Sequence, residues 1–366
     1  MRNYDFGALK DNFVSGLSPA ITRRILTEGY VVNKVLEFFP FYAVEKFIQE
    51  ICWRTYWKGF LEHRPKIWQN YLQDLNSLES QKEDQNYRKA LSGCTGIDCF
   101  DSWSKELRHN NYLHNHTRMW FASIWIHTLN LPWQLGAELF MENLYDADPA
   151  SNTLSWRWVA GIHTQNKYYI ASAENIKKFT GGAFYPKKQL NKNPKTFTWE
   201  NFEPENFNIQ DYQKPKNVDC ILIHENNLSL QDIPDFKYML IQQKSLQSIS
   251  RSKKVCRYID KALKDLKKRI EVKFSGKVIP FNFENFHPIQ NFLYEKKIGE
   301  VYSPYPSIGF LKNKLVDIEN KRNINFKFFY NSWDILFWPH AKKGFFKLKK
   351  QIKPIIRDLD QIKLNL

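Results

Sequence analysis

Residues 112–161, YLHNHTRMWFASIWIHTLNLPWQLGAELFMENLYDADPASNTLSWRWVAG, decide how the rest of the chain is read. From Tyr112 to Leu129 the stretch is apolar on nearly every side at helical spacing, so this helix belongs inside a bundle. Pro132 stands at a first-turn position and opens a second helix. Asp146, Asp148 and Asn152 follow, and Trp156 and Trp158 then flank Arg157. Asn115, Arg118 and Met119 share one face of the first helix, and Asn152 and Trp156 lie one turn apart if their segment is helical. Charged and amide groups in such surroundings need partners or a ligand. One outcome is a purely structural ion-pair network, for instance Arg118 with Asp146, among tryptophans that fill space.

Upstream, residues 40–63, PFYAVEKFIQEICWRTYWKGFLEH, keep the helical period, and Glu50, Trp53, Arg54 and Trp57 fall at i, i+3, i+4 and i+7 on one face. DCFDSWSKELRHN begins with Asp98, a residue that can cap a helix. In VSGLSPAITRR, residues 14–24, two serines precede a helix start near Pro19 and offer hydroxyls and free backbone N–H groups to a phosphate. After about residue 176 the texture changes. Residues 181–216 hold Gly, Pro, Asn and Lys without a sustained period and read as a linker. From residue 218 short apolar strands (VDCILIHE, KYMLIQQ, KVIPFN, GEVYSPY, NFKFFYN) alternate with amphipathic helices, the pattern of a parallel sheet covered on both faces. The expected fold is therefore multidomain, all-α followed by a small Rossmann-like (flavodoxin-like) α/β domain. The expected division is 1–180, a linker at 181–216, and 217–366. No GxGxxG opens a helix of the α/β part, so dinucleotide phosphate binding there has no support.

A chain of 366 residues fits two domains. Its net charge of +16 points to an anionic partner such as nucleic acid, although Lys, Asn, Ile and Phe are enriched together, as AT-rich codon usage would make them. Five cysteines at irregular spacing form neither a disulfide framework nor a zinc pattern, which favours a reducing, cytoplasmic setting and no metal. The longest apolar run is broken by His127, Asn130 and Pro132 and does not read as a membrane span. Ten of the twelve tryptophans precede residue 217, so the unusual chemistry is expected there. A ligand that would use carboxylates, an amide and indoles together is an isoalloxazine ring. An aspartate can accept from its N3–H, an amide can face N5, and indoles can pack and pass electrons.

The 112–161 stretch resembles the heart of the FAD domain of the photolyase/cryptochrome family, whose pattern runs His-Asn-x-x-Arg-Met, Asp-x-Asp-x-Ala-x-Asn, then Trp-x-Trp. EICWRTYWKGFL and VSGLSP match two further blocks in the same order, and the resemblance covers about residues 2–180. It implies a bound FAD. Ser15, Leu17 and Ser18 would form the phosphate loop, with Tyr4 nearby, and Arg118 and Asp146 would be the ion pair beside the flavin. Asp148 would touch the ring edge and Asn152 would face N5, with Phe47, Glu50, Arg54, Asn115 and Ala147 completing the cofactor set. Trp156 and Trp133 would be the first two steps of an electron-transfer chain, for whose third member Trp68 or Tyr71 are candidates. Glu50, Trp53, Asn115, Met119 and Trp158 stand at the positions of a pyrimidine-dimer pocket, with Glu50 a catalytic group.

The family places its α/β antenna domain first, whereas ILIHENNLSLQD and the segments after it resemble that domain here, which implies a permuted order. The resemblance implies blue-light-driven repair of cyclobutane pyrimidine dimers in DNA by electron transfer from reduced FAD, in a monomer without membrane contact. The alternative is a cryptochrome-like photoreceptor that binds FAD without repair. A second, antenna chromophore is left open.

Overall fold

The run Val218–Ile223, apolar apart from Asp219, is too short for a buried helix and suits the middle of a parallel sheet. In the computed structural model, which describes residues 14–165, 167–209, 211–274, 277–322 and 324–364, it forms β1 (Asn217–Ile223). β2 (Asp235–Gln242), β3 (Lys277–Phe281), β4 (Glu300–Pro304) and β5 (Asn325–Phe329) complete a five-stranded sheet in the order β3-β2-β1-β4-β5, with every neighbouring pair parallel. Cys220 lies opposite Tyr238, Ile223 opposite Ile241, and Ile221 opposite Tyr302. Cys220, Ile221, Leu222 and Ile223 are fully buried, as a central strand covered on both faces requires. On one face Cys220, Leu222, Leu240 and Phe281 share a core with Ile289 and Leu293 of the helix His287–Glu295 and with Leu311, Leu315 and Ile318 of the helix Phe310–Arg322. The architecture is an N-terminal helical region followed by a parallel α/β domain.

The helical region follows the patterning just as directly. Helices run Pro65–Ser77, Gln85–Ser92, Asp98–Asn110, Asn115–Ser123, Trp133–Asn143, Pro149–Val159 and Ala173–Phe179. Trp120, Phe121, Ile124, Trp125 and Ile126, expected inside the bundle, are fully buried. The segment is not one regular helix. At Ile124–Thr128 it widens into a π turn, with the Leu129 N–H donating to the Ile124 carbonyl at 2.9 Å. The expectation that Asp98 caps its helix is corrected. Ile97 holds the cap position without a side-chain bond, and the Asp101 carboxylate reaches back instead to the N–H groups of Thr95 (2.8 Å) and Gly96 (2.9 Å).

By packing, the chain forms two compact units, one from residues up to 19, 66–202 and 251–255, the other from 20–65, 203–250 and 256–366. The long helix Phe41–Glu62 therefore belongs to the second unit, the one that holds the sheet. Between Phe179 and Asn217 the described residues form neither helix nor strand. Part of this segment is nonetheless tied to the first unit. The Lys195 N–H donates to His127 Nδ1 (3.0 Å) and the Asn191 amide to the His127 carbonyl (2.9 Å). His127 must then carry its proton on Nε2, which faces the Val159 carbonyl at 3.2 Å. Burial holds this imidazole below its ordinary pKa.

Among the described residues no helix is long and apolar enough to cross a membrane, and no three His, Cys, Asp or Glu side chains gather as a metal site requires.

Candidate functional site

In the first unit the motif residues are positioned by a short, well-anchored loop. Asn111 ends the helix Asp98–Asn110 in the left-handed region, φ +54°. Its amide donates to the Asn143 carbonyl (2.7 Å) and its carbonyl accepts the Tyr145 N–H (3.0 Å). These bonds fix residues 144–148, and with them Asp146. Asp146 meets Arg118 of the helix Asn115–Ser123, with Nη2 3.0 Å from Oδ1 and 3.1 Å from Oδ2. Arg118 Nε also donates to the Leu113 carbonyl at 2.8 Å. The guanidinium is thus hydrogen-bonded at two points, both outside its own helix, and lies over the Tyr112 ring at 5.3 Å. The pair is asymmetric, because the Asp146 side chain is 3% exposed and that of Arg118 22%.

Asp148 caps the helix Pro149–Val159. Its Oδ1 accepts the Ser151 N–H at 2.9 Å, and Pro149 occupies the first turn. The Asp-Pro dipeptide is the sequence signal for this role, and a reading of Asp148 as a ring contact alone passes over it. Asn152 is buried, and its Nδ2 donates to the Ala137 carbonyl at 2.7 Å. A carbonyl can only accept, so that bond fixes the amide and turns Oδ1 the other way. Ala147 is buried beside these groups in sequence, Met119 is half-buried and Asn115 exposed.

The tryptophans separate into two groups. Trp156 is buried edge-to-face against Phe140 (5.1 Å) and Trp125 (6.3 Å). It fits because residue 136 is glycine, where a Cβ would stand 2.3 Å from the indole. Trp133 stacks on Tyr71 (5.7 Å), and Tyr71 lies against Trp68 (5.3 Å), so three buried rings stand in a row. Burial, with Glu138 and Glu142 nearby, keeps the Tyr71 phenol protonated well above its ordinary range. Trp158 is half-buried and stacks on Tyr169 at 5.4 Å. In the phosphate-loop candidate, Gly16 has φ +65° and the Leu17 N–H faces Ser15 Oγ at 3.5 Å. Ser15 is exposed, and Leu17 and Ser18 are half-buried. Tyr4 lies outside the described residues.

Phe47, Glu50, Trp53 and Arg54 belong to the second unit, on the helix Phe41–Glu62. Phe47 and Arg54 are half-buried there. The Glu50 side chain is solvent-exposed, yet desolvation by surrounding protein raises its carboxyl above the ordinary value, against a lowering by Lys46. Trp53 stacks on Phe345, centroids 3.7 Å apart and planes 10° from parallel. No signal in the sequence pointed to this partner. The same unit holds a buried ionic cluster. Arg24 Nη2 lies 2.6 and 2.7 Å from the two Asp334 oxygens and Arg24 Nε 3.4 Å from Glu28. Burial alone would lower the Arg24 pKa, but Asp334 and Glu28 raise it further than that. Burial dominates for Asp334 and raises its carboxyl.

Residues 47–206 match the family model described as the FAD binding domain of DNA photolyase. The chain is 34% identical over 170 residues to the deoxyribodipyrimidine photo-lyase of Streptomyces griseus, covering 46% of this chain and 37% of that protein. It is 35% identical over 119 residues to that of Agrobacterium fabrum, covering 32% and 25%. The crystal structure of a bacterial class III photolyase from Agrobacterium tumefaciens aligns at 25% identity with a TM-score of 0.42, over 51% of this chain and 40% of that one. The matching region is similar to the FAD binding domain of DNA photolyase. Through it this chain has its relatives in the photolyase/cryptochrome family. The chain spans between about a fifth and little more than a third of the length of the curated relatives it matches.

Proposed function

We propose that this protein binds FAD and uses blue light to repair pyrimidine dimers in DNA. The observation that carries the reading is the Arg118–Asp146 pair. It joins two separate segments of the family-matched region and leaves the guanidinium partly open at 22% exposure. A partly open guanidinium keeps N–H donors that a ligand could meet. When bound, FAD would supply light absorption and one-electron donation. Arg118 and Asp146 would present opposite charges to the polar edge of the ring, and Asn152, oriented through Ala137, would offer Oδ1. Asp148, which caps its helix, would lie at the ring edge. Trp156 and Trp133 would pass electrons to the cofactor, and the row Trp133–Tyr71–Trp68 would extend the path. Ser15, Leu17 and Ser18 would approach the phosphates. Phe47, Arg54, Asn115 and Ala147 would complete the cofactor set. By the resemblance, Glu50, Trp53, Asn115, Met119 and Trp158 would take up the lesion.

One observation favours a photoreceptor without repair. Both tryptophans assigned to the lesion already stack on the chain's own rings, Trp53 on Phe345 and Trp158 on Tyr169. A single experiment separates the two readings. The purified protein should carry about one FAD per chain and photoreduce under blue light with a reductant, and dimer-containing single-stranded and duplex DNA should then lose dimers on illumination. FAD and photoreduction without dimer loss select the photoreceptor. A colourless protein that takes up no FAD refutes both.

A further inference from the structure

The helix Phe345–Leu364 buries Phe345, Leu348, Ile352, Ile355 and Ile356. It runs antiparallel beside the helix Phe41–Glu62 in the same unit. Phe345 meets Trp53 (3.7 Å), Lys349 meets Glu45 (3.7 Å), and Lys353 lies over the Phe41 ring (5.9 Å). Its other face is exposed. At about 100° per residue, Phe346, Lys347, Lys350, Lys353 and Arg357 fall on an arc of about 120°, and each is exposed. Lys343, just before the helix, is exposed as well, and Asp358 stands only at the margin of the arc. The other long surface helix, Lys253–Lys273, is built differently, since acids sit among its cations. Arg269 pairs with Asp265 at 2.8 Å and Lys267 with Glu271 at 3.8 Å. On this face Phe346 is 75% exposed, and Tyr42, next in sequence to the Phe41 ring that Lys353 overlies, is 83% exposed.

We propose that this face, Lys343, Lys347, Lys350, Lys353 and Arg357 with Phe346 and Tyr42 alongside, is a docking surface for a single DNA strand, separate from the motif residues 112–161. Cations in a row match the spacing of backbone phosphates, and exposed rings between them stack on unpaired bases. A membrane surface fits less well. An amphipathic helix that lies in a bilayer uses its apolar face, and here that face is buried in the protein. The assignment does not depend on bound FAD.

The test uses the full chain and a labelled 20-mer of thymidylate, read by anisotropy across a salt series. A 20-base-pair duplex and anionic phospholipid vesicles serve as the other arms. K347E/K350E/R357E should weaken oligothymidylate binding at least about tenfold and reduce the slope of log affinity against log salt by about 2, near 0.7 for each phosphate no longer neutralised. K261E/K264E/K268E makes the same change in net charge on an exposed face of the other long helix and should change affinity by about threefold or less. Phe346→Ala should cost about 5- to 100-fold on oligothymidylate and much less on the duplex. Circular dichroism and melting establish folding, and K347Q/K350Q/R357Q gives a second, milder set. Equal losses from both triple variants would reduce the effect to net charge and overturn the proposal. So would an unchanged Phe346→Ala variant, or vesicle binding lost while oligothymidylate binding persists. The same samples report FAD by absorbance, so failure here is distinct from failure of the flavin reading.

Discussion

The molecule holds two sets of buried charge, and they are built on different plans. At the carboxyl ends of β1 and β4, where strand order reverses, open α/β sheets leave a crevice. Here the polar groups at that place are engaged with one another and with the segment 20–65. Glu225 Oε2 accepts from Gln242 (3.0 Å) and from the Leu246 N–H (2.9 Å), and its Oε1 lies 3.6 Å from Arg23. His224 Nε2 faces the Pro304 carbonyl at 2.9 Å, and Glu62 accepts from the Tyr305 hydroxyl and the Ile308 N–H, each at 2.6 Å. Arg24 and Asp334, elsewhere in this unit, are both 5% exposed or less. The Arg118–Asp146 pair, in the other unit, is a single bridge with one member partly open. Charges closed on both sides brace a fold, whereas a charge left open on one side can address a ligand.

The sharpest way to break this comparison is to open the closed set. Asp334→Ala leaves a buried guanidinium with Glu28 at 3.4 Å as its remaining ion-pair partner. The expected loss is about 3–5 kcal/mol in urea unfolding of the full chain. Arg24→Met combined with Asp334→Leu should recover much of it, because a paired apolar replacement removes both desolvation costs. A loss below about 1 kcal/mol for Asp334→Ala would show that the cluster is hydrated and not closed.

A somewhat smaller effect comes from His224. Burial lowers its pKa to about 4 from an ordinary value near 6.5. The unfolded chain therefore takes up a proton first as pH falls, and stability declines from about pH 6.5 until the folded pKa is passed near 4. The shift corresponds to roughly 3 kcal/mol. His63 and His127, also lowered by burial, act in the same direction. Unfolding measured at pH 7 and pH 4 should show the fall, and His224→Gln, which keeps a donor for the Pro304 carbonyl, should flatten it. An equally steep profile in the variant would place the acid sensitivity in other groups.

What could be read from the chain, and what could not, follows the same division. All five strands were legible, the central ones because a strand buried on both faces must be a continuous apolar run, as Cys220–Ile223 and Tyr238–Ile241 are. The helix through Trp120 and Trp125 was legible because it is apolar all round. Arg118 and Asp146 were legible as a pair because both stand in motifs. Arg24 and Asp334, 310 residues apart, carry no local signal of pairing, and neither do Trp53 and Phe345. The π turn at Ile124 was hidden too, since the apolar period runs through it unbroken. Local chemistry marks strands, caps and motifs, and long-range closure appears only when the chain is folded.

The smallest expected change in stability is the most informative about function. Arg118 is 22% exposed but Asp146 only 3%, so removing the charge of Arg118 leaves a buried carboxylate that an amide replacement can still hydrogen-bond. Arg118→Gln should therefore cost about 1–3 kcal/mol in unfolding, less than opening the closed cluster. FAD content should nonetheless fall well below that of the parent, because the open side of the guanidinium is the part proposed to meet the cofactor. Arg118→Lys sharpens the point. It keeps the charge but not the planar fork that holds Leu113 and Asp146 together, so it should retain stability and still lose FAD. Asp146→Asn should behave alike, since the amide keeps the shape of the carboxylate and not its charge. Unfolding curves and the flavin absorbance of each purified variant, taken from one preparation, give both quantities. If these variants lose several kcal/mol while keeping full FAD, the pair is a brace like Arg24–Asp334, and the distinction between open and closed charges fails at the position on which it was built.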